Sequence, residues 1–153
     1  MSTAENYLKM AIDLARKNVT EEHGRPFGAV IVKDGKVLAT GVNEIGKTND
    51  PTDHAELSAI RKASQVLKSP RLDGCVVYAS GNPCPMCLSA MYMTGIKEVY
   101  FAYSNQEGEK YGLSTASVYQ ELMKPFPEQS MNIHHHPVKT DDELIYDVWK
   151  KMR

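Results

Sequence analysis

Apolar and polar positions alternate along the chain with two different periods, which predicts a mixture of helices and strands. Residues 4–17 repeat apolar side chains three and four positions apart, so they predict an amphipathic helix. The breaker Gly24-Arg25-Pro26 ends this pattern, and the apolar run 27–32 after it predicts a strand. The turn Lys33-Asp34-Gly35-Lys36 then predicts a hairpin whose returning strand covers 36–43.

Beyond a polar loop at 43–53, the chain continues to alternate between the two patterns. Further helices are predicted at 54–67, 85–95, 115–123 and 141–152, and further strands at 75–79, 97–102 and 131–136. This alternation predicts an α/β fold with helices on both faces of a sheet, and the hairpin makes that sheet mixed. Because no linker, repeat or low-complexity stretch interrupts it, we expect a single domain, 1–153.

Composition narrows the classes of function. Hydrophobic residues make up 42% and charged residues 24% of the chain, and the formal net charge is −1. This balance argues against a nucleic-acid partner, which usually requires a basic face. The sequence contains no apolar stretch of about 18 residues, so it predicts no membrane span. Charged residues interrupt the apolar positions near the N-terminus, which is atypical of a signal peptide, so we expect a cytoplasmic protein.

The cysteines favour a metal site over disulfides, because there are three of them and two lie close together. Cys84 and Cys87 fall on the first turn of a predicted helix, where residues three apart share a face. Thiolates are stabilised at a helix N-terminus. Cys75 lies in an apolar run and is predicted to be a core residue.

A second motif, His54-Ala55-Glu56, starts another predicted helix, and both motifs follow loops that leave strands, where α/β sheets place their sites. Two thiolates and one imidazole form a known catalytic zinc set that leaves a position for water, whose pKa falls towards about 7. At the helix tip, Glu56 can reach the same water and move its protons. His-x-Glu followed by Pro-Cys-x-x-Cys is the signature of zinc deaminases. We predict one zinc ion per chain, held by His54, Cys84 and Cys87.

On these motifs the chain resembles the cytidine/deoxycytidylate deaminase superfamily, and within it the bacterial guanine deaminases. The similarity is densest at 26–35, 49–63 and 72–90. It implies a three-layer α/β/α sandwich around a mixed five-stranded sheet. It also implies hydrolytic deamination of a free nucleobase, with guanine as the leading substrate.

The resemblance further implies which residues meet the substrate. Glu56 would carry the proton, Phe27 would stack on the ring and Asn43 would form a hydrogen bond with the base. The backbone N–H of Ala55 would lie near the ring edge. Three positions at which the chain departs from these relatives would shape the rest of the pocket, namely Met93, Thr115 and Asp141.

Those departures leave the substrate open, so another aminopurine, cytosine or an aminotriazine stays an alternative. A tRNA adenosine deaminase shares the stretch 50–56, but such enzymes present a basic segment where this chain reads Phe101-Ala102-Tyr103-Ser104. A non-catalytic zinc-binding protein is a third alternative, against which Glu56 argues.

The resemblance also implies a homodimer in which the C-terminal segment from Asp141 onward is exchanged between subunits. The run His134-His135-His136 invites a metal hypothesis of its own. Alternate residues of a strand point to opposite faces, so we interpret this run as a solvated edge.

Overall fold

The computed structural model describes residues 2–153, which fall into two compact units divided between Gln120 and Glu121. Each unit is described by itself. The helices and strands up to that division are α1 (Thr3–Thr20), β1 (Gly28–Lys33), β2 (Lys36–Val42), α2 (Ile45–Thr48), α3 (Ala55–Leu67), β3 (Cys75–Gly81), α4 (Pro85–Thr94), β4 (Glu98–Tyr103), α5 (Asn105–Gly108) and α6 (Ala116–Leu122), which runs across it.

The sheet contains four strands within residues 2–153, in the order β2-β1-β3-β4. Strand β1 pairs antiparallel with both β2 and β3, whereas β3 pairs parallel with β4. A bulge interrupts the β1–β2 register between Ile31 and Val32. The prediction of a mixed sheet flanked by helices is therefore confirmed.

Helices pack on both faces of the sheet because β1 sends successive side chains to opposite sides. Val30 and Val32 share a core cluster with Ala11 of α1. Ala29 and Ile31 belong to the cluster on the other face, which contains residues of α3 and α4. These three layers position the starts of α3 and α4 on the same side of the sheet.

Two glycines allow the helices to approach the sheet closely. A Cβ atom at Gly28 would lie 2.3 Å from the carbonyl oxygen of Ala11 in α1. A Cβ atom at Gly41 would lie 2.2 Å from the carbonyl oxygen of Ala55 in α3. Both distances are too short for any side chain, so glycine is required at each position.

The expected fifth strand is wrong, because residues 131–139 have no regular secondary structure. In this segment Met131 and His134 to His136 are exposed and only Ile133 is partly buried. A strand needs an apolar face to bury, and the consecutive histidines followed by Pro137 provide none. The predicted loops at 43–53 and 104–112 also differ, since they contain the short helices α2 and α5.

The C-terminal unit, Glu121–Arg153, contains a 3₁₀ turn at Phe126–Glu128 and helix α7 at Ile145–Lys151. A carboxylate of Glu121 binds the Lys124 ammonium at 2.6 Å and accepts a hydrogen bond from the Ser130 N–H. The final helix thus forms, although it begins four residues later than predicted. No helix within residues 2–153 has the length and apolarity that a membrane crossing requires.

Candidate metal centre and active site

Strand directions bring both sequence motifs to one edge of the sheet. Because β1 is antiparallel to its two neighbours, β2 and β3 run parallel to each other. Their carboxyl ends therefore meet at one edge, where Asn43 follows β2 and Asn82 follows β3. The chain then continues to Cys84 and α4, while the segment after Asn43 leads to His54 and α3.

The three predicted ligands converge at the N-termini of α3 and α4. His54 and Cys84 are the N-cap residues of these helices. The His54 Nδ1 atom lies 3.4 Å from the Cys84 sulfur and 3.6 Å from the Cys87 sulfur. Tetrahedral bonds to zinc of about 2.0 Å from nitrogen and about 2.3 Å from sulfur would separate these atoms by about 3.6 Å. The three residues can therefore hold one zinc ion.

Electrostatics at the helix ends prepare one thiol for this role. The hydrogen bond with Cys87 lowers the pKa of Cys84, and the contact with His54 lowers it further. The same hydrogen bond, together with burial, raises the pKa of Cys87. The contact with Cys84 raises the pKa of His54. In the metal-free chain these opposite shifts favour Cys84 over Cys87 as the thiolate, whereas zinc binding by both sulfurs would require both to be deprotonated.

Glu56 occupies the first turn of α3, close to the ligands but separate from them. Its side chain is only 7% exposed, and burial raises its pKa to about 7 in the metal-free chain. The cluster of metal-ligating atoms found within residues 2–153 consists of His54, Cys84 and Cys87 and does not include Glu56. This placement leaves the carboxyl group available for proton transfer.

A cavity of about 120 Å³, which we call the site cavity, is lined by His54, Glu56 and Cys84 among others. Its wall contains three of the predicted substrate-binding residues, Phe27, Asn43 and Thr115. The Phe27 ring lies against Gly81 at the end of β3, where a Cβ atom would stand 3.1 Å from the ring. The Thr115 hydroxyl is buried, and it has no hydrogen-bond partner within residues 2–153.

The other predicted substrate-binding residues have different surroundings. Ala55 is fully buried at the first position of α3, where a backbone N–H has no partner inside the helix. Met93 does not line the site cavity. It lies six residues beyond Cys87 near the far end of α4, and its side chain is 80% exposed. Asp141 belongs to the C-terminal unit and is exposed there.

Sequence reasoning missed three residues of this region. Arg25 and Asn82 line the site cavity. Tyr119 of α6 donates a hydrogen bond from its hydroxyl to the carbonyl of Pro83, next to Cys84. Burial raises the pKa of Tyr119, and the nearby Cys84 raises it further. Its spacing of four residues from Thr115 was the available signal, because residues four apart share a helix face.

Comparison with known proteins identifies the family. The model of the cytidine and deoxycytidylate deaminase zinc-binding region matches residues 1–103. The chain belongs to this deaminase family. It is 45% identical to a guanine deaminase of Bacillus subtilis over 146 residues, which cover 95% of this chain and 93% of that protein. It is 33% identical to a tRNA-specific adenosine deaminase of Aquifex aeolicus, over 97% of this chain and 95% of that protein.

Solved structures of deaminases agree with this assignment. The crystal structure of guanine deaminase from Bacillus subtilis matches 99% of this chain and 95% of its own, with a TM-score of 0.88 and 40% identity. A structure from a study of tRNA:A34 deaminases matches 89% of this chain and 96% of its own, with a TM-score of 0.65 and 31% identity. The cytidine deaminase-like α/β fold and the zinc-binding character of the family follow from these matches.

Proposed function

We propose that this member of the deaminase family hydrolyses the exocyclic amine of a free nucleobase, and that guanine is its substrate. The observation that carries the proposal is the convergence of His54, Cys84 and Cys87 with the buried carboxyl of Glu56 beside one small cavity. The net reaction adds water across the bond between a ring carbon and its amine. The oxygen stays on the ring and ammonia leaves.

The ligand residues and Glu56 divide the chemistry between them. His54, Cys84 and Cys87 would hold zinc, which supplies a Lewis acid that activates water when it is bound. A carboxylate oxygen of Glu56 accepts a proton from the attacking water. The same group then delivers protons to the ring nitrogen and to the departing amine, which is general acid–base catalysis. Burial of Glu56 keeps bulk water away from these transfers.

Recognition of the base would use the wall of the site cavity. The Asn43 Oδ1 atom accepts a hydrogen bond from the Ile45 N–H at 3.1 Å, so its amide nitrogen is free to donate to a ring carbonyl. The unpartnered Thr115 hydroxyl can donate or accept. Phe27 offers a ring face for stacking, and the N–H of Ala55 points towards the helix N-terminus.

Guanine as a free base is proposed for two reasons, of which the first concerns the ring and the second the absence of an attached sugar phosphate. The relative with 45% identity is a guanine deaminase, and the match covers nearly the whole of both chains. The site cavity of about 120 Å³ is small compared with the roughly 300–1,000 Å³ of drug-sized ligand pockets. A cavity of this size favours a bare ring system over a nucleotide.

A panel of substrates tests this proposal by ammonia release from the purified, zinc-loaded protein. The panel contains guanine, guanosine, adenine, cytosine, isocytosine, an aminotriazine and a tRNA anticodon stem-loop. We expect release from guanine and much slower release from the other compounds. Ammonia release from cytosine or the aminotriazine alone would show that this compound, and not guanine, is the substrate. No ammonia release from any free base would contradict the proposal.

A tRNA adenosine deaminase is the second candidate, because a protein of that name is 33% identical over 97% of this chain. Nucleic acid binding needs cations that neutralise phosphates, whereas this chain has a net charge of −1. The stem-loop arm of the panel distinguishes the two candidates directly, since a free-base enzyme leaves its wobble adenosine unchanged.

We further propose that residues 1–153 act as one deaminase domain and assemble into a homodimer that exchanges the segment from Asp141 onward. Two features of the residues up to Gln120 support this assembly. The outer edge of β4 has no strand partner within residues 2–153, and its Phe101 and Tyr103 are about half exposed. An open groove of about 1050 Å³, lined by Ile12 and Val19 of α1 among others, offers apolar surface to a protein segment.

In such a dimer Asp141 would reach the substrate from the partner subunit. Light scattering on a size-exclusion column checks the dimer, with an expected mass twice the 17.1 kDa of one chain. A cytoplasmic location is part of the same proposal. It is supported by the three free cysteines, which suit a reducing compartment.

A further inference from the structure

Asn18 is a buried amide in the last turns of α1, although asparagine is usually a surface residue. Its side chain is 4% exposed. The Nδ2 group donates one hydrogen bond to the carbonyl of Arg25 and a second to the carbonyl of Asn43, each at 2.8 Å. One amide group therefore joins two segments that are far apart in sequence.

Both segments end in residues that form the wall of the site cavity. Arg25 precedes Phe27, and the Phe27 N–H donates to the Arg25 carbonyl at 2.9 Å. The Asn43 N–H donates in turn to the Phe27 carbonyl at 3.2 Å. Asn18 itself does not line the site cavity. Its two bonds close a network whose inner members are the proposed stacking and hydrogen-bonding residues.

The chain before β1 is shaped around this amide. The Gly24 N–H donates to the backbone carbonyl of Asn18 at 2.8 Å. A Cβ atom at Gly24 would stand 2.5 Å from the Asn18 Nδ2 atom, so only glycine allows the turn to pass so close. The helix, the turn and the end of β2 are thus fixed to one another through Asn18.

We propose that Asn18 is a positioning residue for base recognition, which sets the spacing of Phe27 and Asn43 and thereby the affinity for the ring. This inference rests on the proposed nucleobase deaminase function. The reacting centre lies on the N-termini of α3 and α4, which Asn18 does not contact through any of these bonds. Loss of the amide should therefore weaken substrate binding far more than it slows the chemical step.

Two substitutions test this role. Asn18→Asp keeps the shape of the side chain but removes both N–H donors and places a carboxylate against two carbonyl oxygens. Asn18→Ala removes the amide group altogether, and alanine is compatible with a helix. The control is Tyr7→Phe, which removes the hydrogen bond from the Tyr7 hydroxyl of the same helix to the Gly35 carbonyl. Gly35 lies in the hairpin turn, at the end of β1 opposite to Phe27. If the aspartate variant does not fold, the alanine variant carries the test.

We expect KM for guanine to rise by about 10-fold in both Asn18 variants, since small misplacements of binding groups weaken affinity strongly. kcat should stay within about three-fold and zinc content should be unchanged, because the ligands keep their positions. Tyr7→Phe should lower the melting temperature without changing KM. An unchanged KM in a folded Asn18 variant would overturn the inference, as would a loss confined to kcat.

Hydrogen exchange separates this inference from the proposed function. In the Asn18 variants, amides of residues 24, 25, 27, 28 and 41–45 should exchange faster, while those in the middle turns of α3 and α4 stay protected. This readout needs no substrate. If the wild-type protein deaminates no free base, the proposed function fails, and unchanged exchange in these two segments would then overturn the role of Asn18 separately.

Discussion

Glu56 places a carboxyl group in a buried position within reach of the metal ligands without being one of them. The substitution Glu56→Gln keeps the shape but cannot accept a proton. We expect it to lower kcat by about 10²–10⁴-fold, the usual contribution of general acid–base catalysis. Zinc content should stay at that of the wild type, because His54, Cys84 and Cys87 are intact.

Ammonia release and metal analysis of the same preparation check this prediction. Glu44→Gln is a suitable control, since Glu44 precedes α2 and is not part of the wall of the site cavity. Activity near the wild-type level in Glu56→Gln would mean that another group carries the proton.

The burial of Glu56 also predicts how the metal-free protein responds to pH. Burial raises the pKa of Glu56 from 4.5 to about 7 in the folded chain. The folded state therefore holds a proton that the unfolded state has released, and the free energy of unfolding falls as pH rises through this range. At pH 8 the free energy of unfolding is lower by roughly 3 kcal/mol than it is at low pH, where Glu56 is protonated in both states.

Urea unfolding of the chelator-treated protein at pH 5 and pH 8 measures this effect. Glu56→Gln should be more stable than the wild type at pH 8 and about equal to it at pH 5. Glu121→Gln should behave in the opposite sense at pH 8, because the hydrogen bond with Lys124 lowers the pKa of Glu121 to about 2. A Glu56→Gln variant with no advantage at pH 8 would contradict the burial argument.

Thr115 gives a prediction in which binding and stability change independently. Its buried hydroxyl has no hydrogen-bond partner within residues 2–153, so Thr115→Val removes no bond from the folded protein. We expect the melting temperature to stay equal or to rise, while KM for guanine rises by about 5–10-fold, the loss of roughly one hydrogen bond to the substrate.

Thr94→Val is the matched control, because the Thr94 hydroxyl is bonded to the Ala90 carbonyl at 2.9 Å and does not line the site cavity. That substitution should leave KM unchanged. A lower melting temperature without any change in KM for Thr115→Val would show that the hydroxyl serves the fold instead.

The site residues differ in how far the sequence could predict them. His54, Cys84 and Cys87 were predictable because two short motifs place them at the starts of helices, where local geometry decides the direction of a side chain. Phe27 and Asn43 needed the family resemblance. Asn18 and Tyr119 were missed because their hydrogen bonds to Asn43 and Pro83 join segments distant in sequence. Met93 lies about two turns along α4 from Cys84, so its proposed part in substrate binding stays a prediction.

At the scale of elements, the close approach of α3 to β2 sets the position of the His54 end of the site. Gly41→Ala would place a Cβ atom 2.2 Å from the Ala55 carbonyl and force the first turn of α3 to move. We expect a loss of stability of about 1–3 kcal/mol, typical of overpacking, together with weaker zinc binding.

Gly28→Ala is the comparison, since its Cβ atom would press equally closely on the Ala11 carbonyl of α1, which carries no ligand. Urea unfolding and competitive zinc titration with a chromophoric chelator measure both quantities. Zinc affinity should fall more in Gly41→Ala than in Gly28→Ala at similar losses of stability. Equal zinc affinities in the two variants would show that the position of α3 does not affect zinc binding.

Elements with a clear period were predictable, and those without one were not. The strand β1 and the helices α1, α3 and α4 appear within a few residues of their predicted bounds, because each buries a regular apolar pattern. The segment 131–136 offered only Met131 and Ile133 as alternating apolar residues, which was too little to form a strand. The short α5 was missed since its capping box at Ser104 and Glu107 is a local polar feature.

At the scale of the whole molecule, the proposed exchange of the C-terminal segment predicts complementation between two inactive chains. One chain carries Glu56→Gln and the other ends at residue 140. In a mixed dimer with exchange, the shortened chain contributes an intact Glu56 and receives Asp141 and the rest of the segment from its partner. That dimer therefore contains one complete site, although neither parent protein has any.

Co-expression with two different affinity tags and sequential purification yields the mixed dimer alone. We expect about half of the wild-type activity per dimer, because one of two symmetry-related sites is complete. Without exchange, each chain would have to complete its own site, and the mixed dimer would be as inactive as its parents. In a second mixed dimer, a full-length chain with Asp141→Ala replaces the shortened chain. Restored activity in this dimer would show that the Asp141 carboxylate acts in the partner's site.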